Sequence, residues 1–271
     1  MDNNITLLNG EEWDRMDLLS KMDSDEFYYG YLGQHALSSS SCKSLLSSPN
    51  DYLKSMRRNN DKETQALRDG RLFHMALLEE DKFSNLKFIQ GTKAKKEYRE
   101  AILDYGYHNV FTESEYDNIM PMVSALKNNS EASFLLSDCD YEVPGVGVID
   151  DLPFRAKADV LSKDGRMIID LKTTTKMNGT TEEQKLRHFR FTAKDFKYNL
   201  QASLYTQIFE ANFMFIVINK SNYDIGVFEA GYEFLGSGDQ LLQESISIYK
   251  KYFKGGVKEE LIKNRVVRGV L

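Results

Sequence analysis

The run Met167-Ile168-Ile169-Asp170-Leu171 constrains this chain more than any other stretch. Apolar residues in near-continuous succession after the turn Lys163-Asp164-Gly165 read as a strand covered on both faces. That strand nevertheless carries an acid, and a lysine stands two residues beyond it. Strand side chains repeat with period two, so Asp170 and Lys172 project from one face. An unpaired charge at a buried strand edge costs several kcal/mol. The strand therefore predicts a layered fold and a partner for its carboxylate.

Composition sets the wider limits. The chain has 271 residues, with 35 Lys+Arg against 41 Asp+Glu for a net charge of −6, and 41% of its residues are apolar. These values are ordinary for a folded domain. The longest apolar run, Phe213 to Ile218, is far short of the roughly 20 residues that a membrane span requires. Met1 to Glu12 is polar and acidic, unlike a secretory leader. Cys42 and Cys139 cannot build a disulfide framework or a four-cysteine zinc site. The expectation is a cytoplasmic, reduced protein that makes no use of a membrane. An acidic balance points away from a nucleic-acid-coating protein. Basic residues do gather at Arg57-Arg58, Lys93-Lys95-Lys96, Lys185-Arg187-Arg190-Lys194-Lys197 and from Lys250 to Arg268. Each such run, taken alone, reads as a solvated face.

Along the chain, Ser38 to Ser41 reads as a helix N-cap, followed by a short helix stopped at Ser48-Pro49. Helical spacing recurs over 63–80, 95–105 and 112–128, the last opening on the capping pattern Thr112-Glu113-Ser114-Glu115. After residue 139 short alternating stretches take over (141–143, 145–149, 154–161), broken by Pro144, Asp150-Asp151 and Pro153. Residues 197–210 return to helical period. Phe213 to Asn219 is a second apolar strand, paired with 223–229, and 241–253 closes as an amphipathic helix. The pattern predicts one α/β domain, a central mixed sheet flanked by helices with an N-terminal helical portion. Its bounds are 37–255, with an arm at 1–36 and a basic tail at 256–271.

Phe154-Arg155-Ala156-Lys157-Ala158-Asp159 places a second acid at the end of the strand just upstream. If Asp159 and Asp170 face one point, two hard oxygen ligands converge beside an ammonium group. Mg²⁺ or Mn²⁺ suits such a site. Lys172 can orient or deprotonate a water, or offset charge building on a phosphate. The reaction this equipment fits is metal-assisted phosphodiester hydrolysis. Glu142 is a further acid that could add a ligand, but the turn-rich stretch between it and Asp159 favours a surface strand position.

Gly70-x-x-x-His74, Ala158-Asp159-Val160-Leu161, Ile169-Asp170-Leu171-Lys172-Thr173 and Gln201-x-x-x-Tyr205 stand in the order and spacing of PD-(D/E)XK nucleases. The chain most resembles the RecE (exonuclease VIII) branch of phage recombination exonucleases. Ser38-x-Ser40 with Lys43, Leu45-Leu46 and Ser48-Pro49 also resembles that group's opening segment. The resemblance covers roughly residues 37 to 250. It implies a restriction-endonuclease-like core, with His74, Asp159, Asp170 and the Leu171 carbonyl as ligands of Mg²⁺ or Mn²⁺, two ions per site. Lys172 would be the catalytic lysine. Gln201 and Tyr205, four apart on one helix face, would bracket the phosphate or the lysine, with packing the other reading of Tyr205. Also implied are digestion of linear double-stranded DNA ends 5′ to 3′, a ring-shaped homo-oligomer of three or four copies, and a RecT-like annealing partner. The competing readings are a Cas4- or RecB-like nuclease on single-stranded ends and a catalytically silent DNA-binding fold. The first of these is weakened by the cysteine count, since its usual iron–sulfur site takes four.

Overall fold

A computed structural model describes residues 4–57 and 63–264 of the chain. Residues 4–35, expected as an arm, form a folded layer. It contains a hairpin of β1 (Asn4–Thr6) and β2 (Glu12–Asp14), then α1 (Arg15–Lys21), a π-helical turn over Glu26–Tyr31, and α2 (Leu32–His35). Ile5, Leu18, Met22, Tyr28 and Leu32 cluster with Val146 of the main sheet and fix this layer to it. The serine run caps as its composition predicts. Ser38 accepts from the Ser41 amide, Ser41 caps the Ser38 amide in return, and α3 (Ser39–Ser47) follows. Pro49 goes further than ending that helix: it opens α4 (Pro49–Arg57), where its missing N–H is not needed. Arg58 lies outside the described residues.

Next come α5 (Gln65–Leu78) and α6 (Glu80–Ser84), then β3 (Lys87–Ile89) and β4 (Val110–Thr112), which pair in parallel around α7 (Lys96–Tyr105). The Thr112–Glu115 capping box starts α8 (Glu113–Asn128), and α9 (Ser130–Leu136) follows. The main sheet has the order β5 (Cys139–Ile149), β6 (Leu152–Ser162), β7 (Met167–Thr174), β8 (Asn212–Asn219) and β9 (Ile225–Glu229). Within this sheet, among the described residues, only β7 and β8 are parallel, joined through α10 (Glu182–Asp195) and α11 (Tyr198–Phe209). The last described elements are α12 (Tyr232–Tyr252) and α13 (Glu259–Lys263). Residues 265–271, including Arg265 and Arg268 of the basic tail, lie outside the described residues. Among the described residues no helix is long and apolar enough to cross a membrane.

Two local expectations are corrected. Pro144 does not break its strand, because β5 is the edge of the sheet, where an absent amide is tolerated. The basic run Lys185–Lys194, to which the sequence pattern assigns no element, is a helix held by a narrow buried stripe of Phe189, Thr192 and Ala193. Finally, α12 starts at Tyr232 rather than Leu241.

The sheet separates two cores. Ile168, Phe213, Phe215 and Val217 pack with residues of α3, α11 and α12 on one side, while Ile169, Leu171, Met214 and Ile216 pack with α5 and α8 on the other. Burial on both faces is why β7 and β8 read as apolar runs. Helices α11 and α12 touch at backbone distance. A Cβ added to Gly238 would lie 2.0 Å from the Asn199 carbonyl oxygen. Gly238→Ala must push these helices apart or distort them, at about 1–3 kcal/mol of stability. The expected result is a lower urea midpoint at unchanged slope. An unchanged midpoint would show that the contact is not tight.

Candidate active site

Strands β6 and β7 are paired only at Val160–Ile169 and Leu161–Ile168, and part beyond that point. Leu37 lies beside the freed stretch of β6. Its amide donates to Pro153, 2.9 Å, and its carbonyl accepts from Arg155, 2.8 Å. Side-chain alternation in β6 also changes at the fork, since Phe154, Ala156 and Ala158 face the first core and Val160 the second. Asp159 stands at that change of side. Its Oδ2 accepts the Leu171 amide at 2.8 Å, so a side chain occupies the place where a backbone ladder would continue.

His74 arrives from α5. Its Nε2 lies 3.1 Å from the Leu171 carbonyl oxygen and its Nδ1 3.6 Å from Asp159 Oδ2. Asp170, 1% exposed, lies where the charges of both Asp159 and His74 reach it. There Gln201 of α11 donates to its Oδ1 at 2.7 Å, and the Lys172 ammonium forms an ion pair with Oδ2. That buried Oδ2 has no aligned hydrogen bond among the described residues. Lys172 also lies 5.0 Å from the Tyr198 ring centroid, and Lys43 of α3 lies 5.3 Å from the same ring. Burial pushes the Asp170 carboxyl above its ordinary range and Asp159 adds to this, with Lys172 opposing. For Lys172, burial favours loss of the proton, but Asp170 and Asp159 outweigh it and hold the amine above its usual value. Lys43 is lowered to about 8, first by burial and then by repulsion from Lys172.

Glu142 corrects the sequence expectation of a surface position. Tyr141 pairs with Val160 and Val143 with Ala158, which sets Glu142 opposite Asp159. Its backbone is left-handed, φ 52°, a conformation that costs an L-residue roughly 1–2 kcal/mol. His74, Glu142 and Asp159 each offer a ligand atom, and these lie within 4.8 Å of one another. Burial, followed by the negative charges of Asp159 and Glu79, raises the Glu142 carboxyl to about 7. One imidazole and two crowded carboxylates fit a divalent cation, which would relieve that repulsion.

The register that brings Glu142 in is set by the β5–β6 turn. Asp150 and Asp151 both have positive φ, 51° and 60°, between the paired residues Ile149 and Leu152. That is the two-residue turn of type I′, and recognising it in the sequence would have aligned residue 142 with residue 159. Tyr205 sits in the core, with its ring centroid 6.2 Å from Phe209 and 6.1 Å from Phe213. Gln201 alone of that helical pair bonds to Asp170. On α10, Arg187, Arg190 and Lys194 are exposed, while Lys185 pairs with Asp224 at 2.7 Å.

No curated protein matches the chain. Among solved structures, a candidate exonuclease from Eubacterium rectale aligns over 92% of this chain and 95% of that one. It does so at a TM-score of 0.63 and 14% identity, a likeness of fold alone. A phage-related exonuclease from Haemophilus somnus 129PT is 13% identical over 80% of this chain and 94% of that one; its TM-score of 0.34 carries no argument. A family model described as a PDDEXK-like domain of unknown function (DUF3799) matches residues 38–261, from the cap of α3 to α13. With that match over most of its length, and with the fork of β6 and β7 that the acids and the lysine occupy, the chain belongs to the PDDEXK-like family DUF3799.

Proposed function

We propose that the chain is a metal-dependent exodeoxyribonuclease that hydrolyses linear double-stranded DNA from its ends, 5′ to 3′, leaving a 3′ single strand. The observation that carries this reading is the meeting of His74, Glu142 and Asp159 at the strand fork, with Asp170 and Lys172 against it. PDDEXK nucleases are typically dependent on divalent metal. Here His74, Asp159, Asp170 and the Leu171 carbonyl would hold the ion, with Glu142 as a further donor. Mg²⁺ is the proposed ion, with Mn²⁺ able to replace it and two ions per site. The ion would polarise the phosphate and lower the pKa of a bound water.

The protein's own groups have distinct tasks. While two carboxylates face it, the Lys172 amine keeps its proton at neutral pH. It therefore acts as a donor, holding the oxygen of the attacking water or offsetting charge on the phosphate. Gln201 fixes Asp170 and thereby the direction of the ion pair. As water adds to phosphorus, the bond to the leaving sugar oxygen breaks, and that oxygen takes up a proton. The polarity, a ring-shaped homo-oligomer around the duplex, handover to a RecT-like annealing protein and a place in recombination all belong to this proposal. They rest on the resemblance to RecE-type exonucleases. The exposed Arg187, Arg190 and Lys194 suit a DNA-facing surface despite the net charge of −6.

Linear duplex labelled at either end provides the test. With Mg²⁺ the 5′ label should be released as mononucleotides, chelator should stop release, and Asp170→Ala or Lys172→Ala should each lower kcat by about 10²-fold or more. Internal laddering or cutting of single strands only would contradict the exonuclease assignment, and binding without cleavage would contradict catalysis. In the same assay the rate should fall steeply as salt is raised from about 50 to 200 mM, because phosphate contacts release counterions. A flat salt response would argue against a basic DNA-facing surface.

A further inference from the structure

The folded N-terminal layer, which precedes the family match at residue 38, sets aromatic rings against the residues of β6 just before Asp159. Its π-helical turn, a backbone form that recurs at functional sites, presents Tyr28 and Tyr29 with ring centroids 4.9 Å apart, edge to face. Tyr28 is buried, whereas Tyr29 is 60% exposed. Two cations of β6 hold the pair. The Arg155 guanidinium lies 4.4 Å from the Tyr28 ring and 5.8 Å from that of Tyr29, and the Lys157 ammonium 4.7 Å and 5.3 Å. Lys157 precedes Asp159 by two residues, about 7 Å along a strand. The negative charge of Glu142 is felt at both tyrosines.

Tyr29 is not what anchors the turn. Phe27 and Tyr31 stack at 5.0 Å and pack against Trp13, and Asp25 bridges Lys157 at 3.0 Å and Lys82 at 3.3 Å. An aromatic ring fixed in place, left open to solvent and set next to cations and a phosphate-cutting site, has the makings of a base-stacking surface.

We propose that residues 26–31 form a wall of the active-site cleft and that Tyr29 is a stacking platform for a nucleobase of the DNA strand being cut. This rests on the nuclease reading and assigns a substrate contact to a segment outside the family match. Tyr29 is a substrate-positioning residue. Its loss should weaken DNA binding and raise KM while leaving kcat nearly unchanged.

The experiment measures binding of linear duplex in EDTA, and steady-state cleavage in Mg²⁺, for wild type, Tyr29→Ala, Tyr29→Phe and Tyr29→Trp. Stacking on one base corresponds to a roughly 5- to 150-fold loss of affinity in Tyr29→Ala, with Phe and Trp close to wild type. A series of duplexes, each with one abasic nucleotide near the end, should include a position that erases the difference between wild type and Tyr29→Ala. If Tyr29→Ala fails to fold, Tyr29→Leu, which keeps apolar bulk without a ring, takes its place in the same abasic series with the same expected loss. Wild-type affinity and KM in Tyr29→Ala, equal losses in Ala and Phe, or no abasic position that closes the gap would overturn the platform while wild type still cuts DNA. A wild-type protein that neither binds nor cuts DNA would overturn the nuclease reading itself, and the platform with it.

Discussion

The structure depends on holding one carboxyl group inside a strand that is covered on both faces. Asp170 has almost no solvent, so its charge is tolerable only because Lys172 and Gln201 meet it. Removing one partner of such a buried pair typically costs about 3–5 kcal/mol, whereas an apolar pair of similar shape often costs nothing. A chain selected for stability alone has little reason to keep this arrangement. The buried pair is therefore better explained by chemistry than by folding.

The rest of the fold serves that point in three ways. Two strands separate where they would otherwise continue pairing, and the separation leaves the Leu171 carbonyl facing His74 and its amide bound to Asp159. Helices arrive from opposite cores, α5 with His74 and α11 with Gln201, so the site lies on the boundary between them. The close approach of α12 to α11 at Gly238 sets the position of the helix that carries Gln201. Packing and chemistry are thus joined through a few short contacts.

Much of this was legible from residue order. The caps at Ser38 and Thr112, the apolar strands β7 and β8, and the pairing of Asp170 with Lys172 follow from local chemistry and period two. Glu142 was not legible, because its approach to Asp159 depends on a hairpin register set by Asp150-Asp151 and on a left-handed backbone that no side-chain pattern announces. The start of α12 was hidden by Gly236 and Gly238, which lower helix propensity, and the second of them is there for backbone contact. The N-terminal layer is not legible in the sequence because its elements are three to seven residues long, too short for periodicity to register. Its aromatic cluster was the available signal.

The central claim is that the fork of β6 and β7 gathers donors for a divalent cation. The most direct measurement is a crystal structure of the protein with Mn²⁺, located by anomalous scattering. An anomalous peak among His74, Glu142 and Asp159, lost in Asp159→Asn, is the result this account predicts. Saturating Mn²⁺ that binds only elsewhere, with the three side chains left as they are, would contradict it.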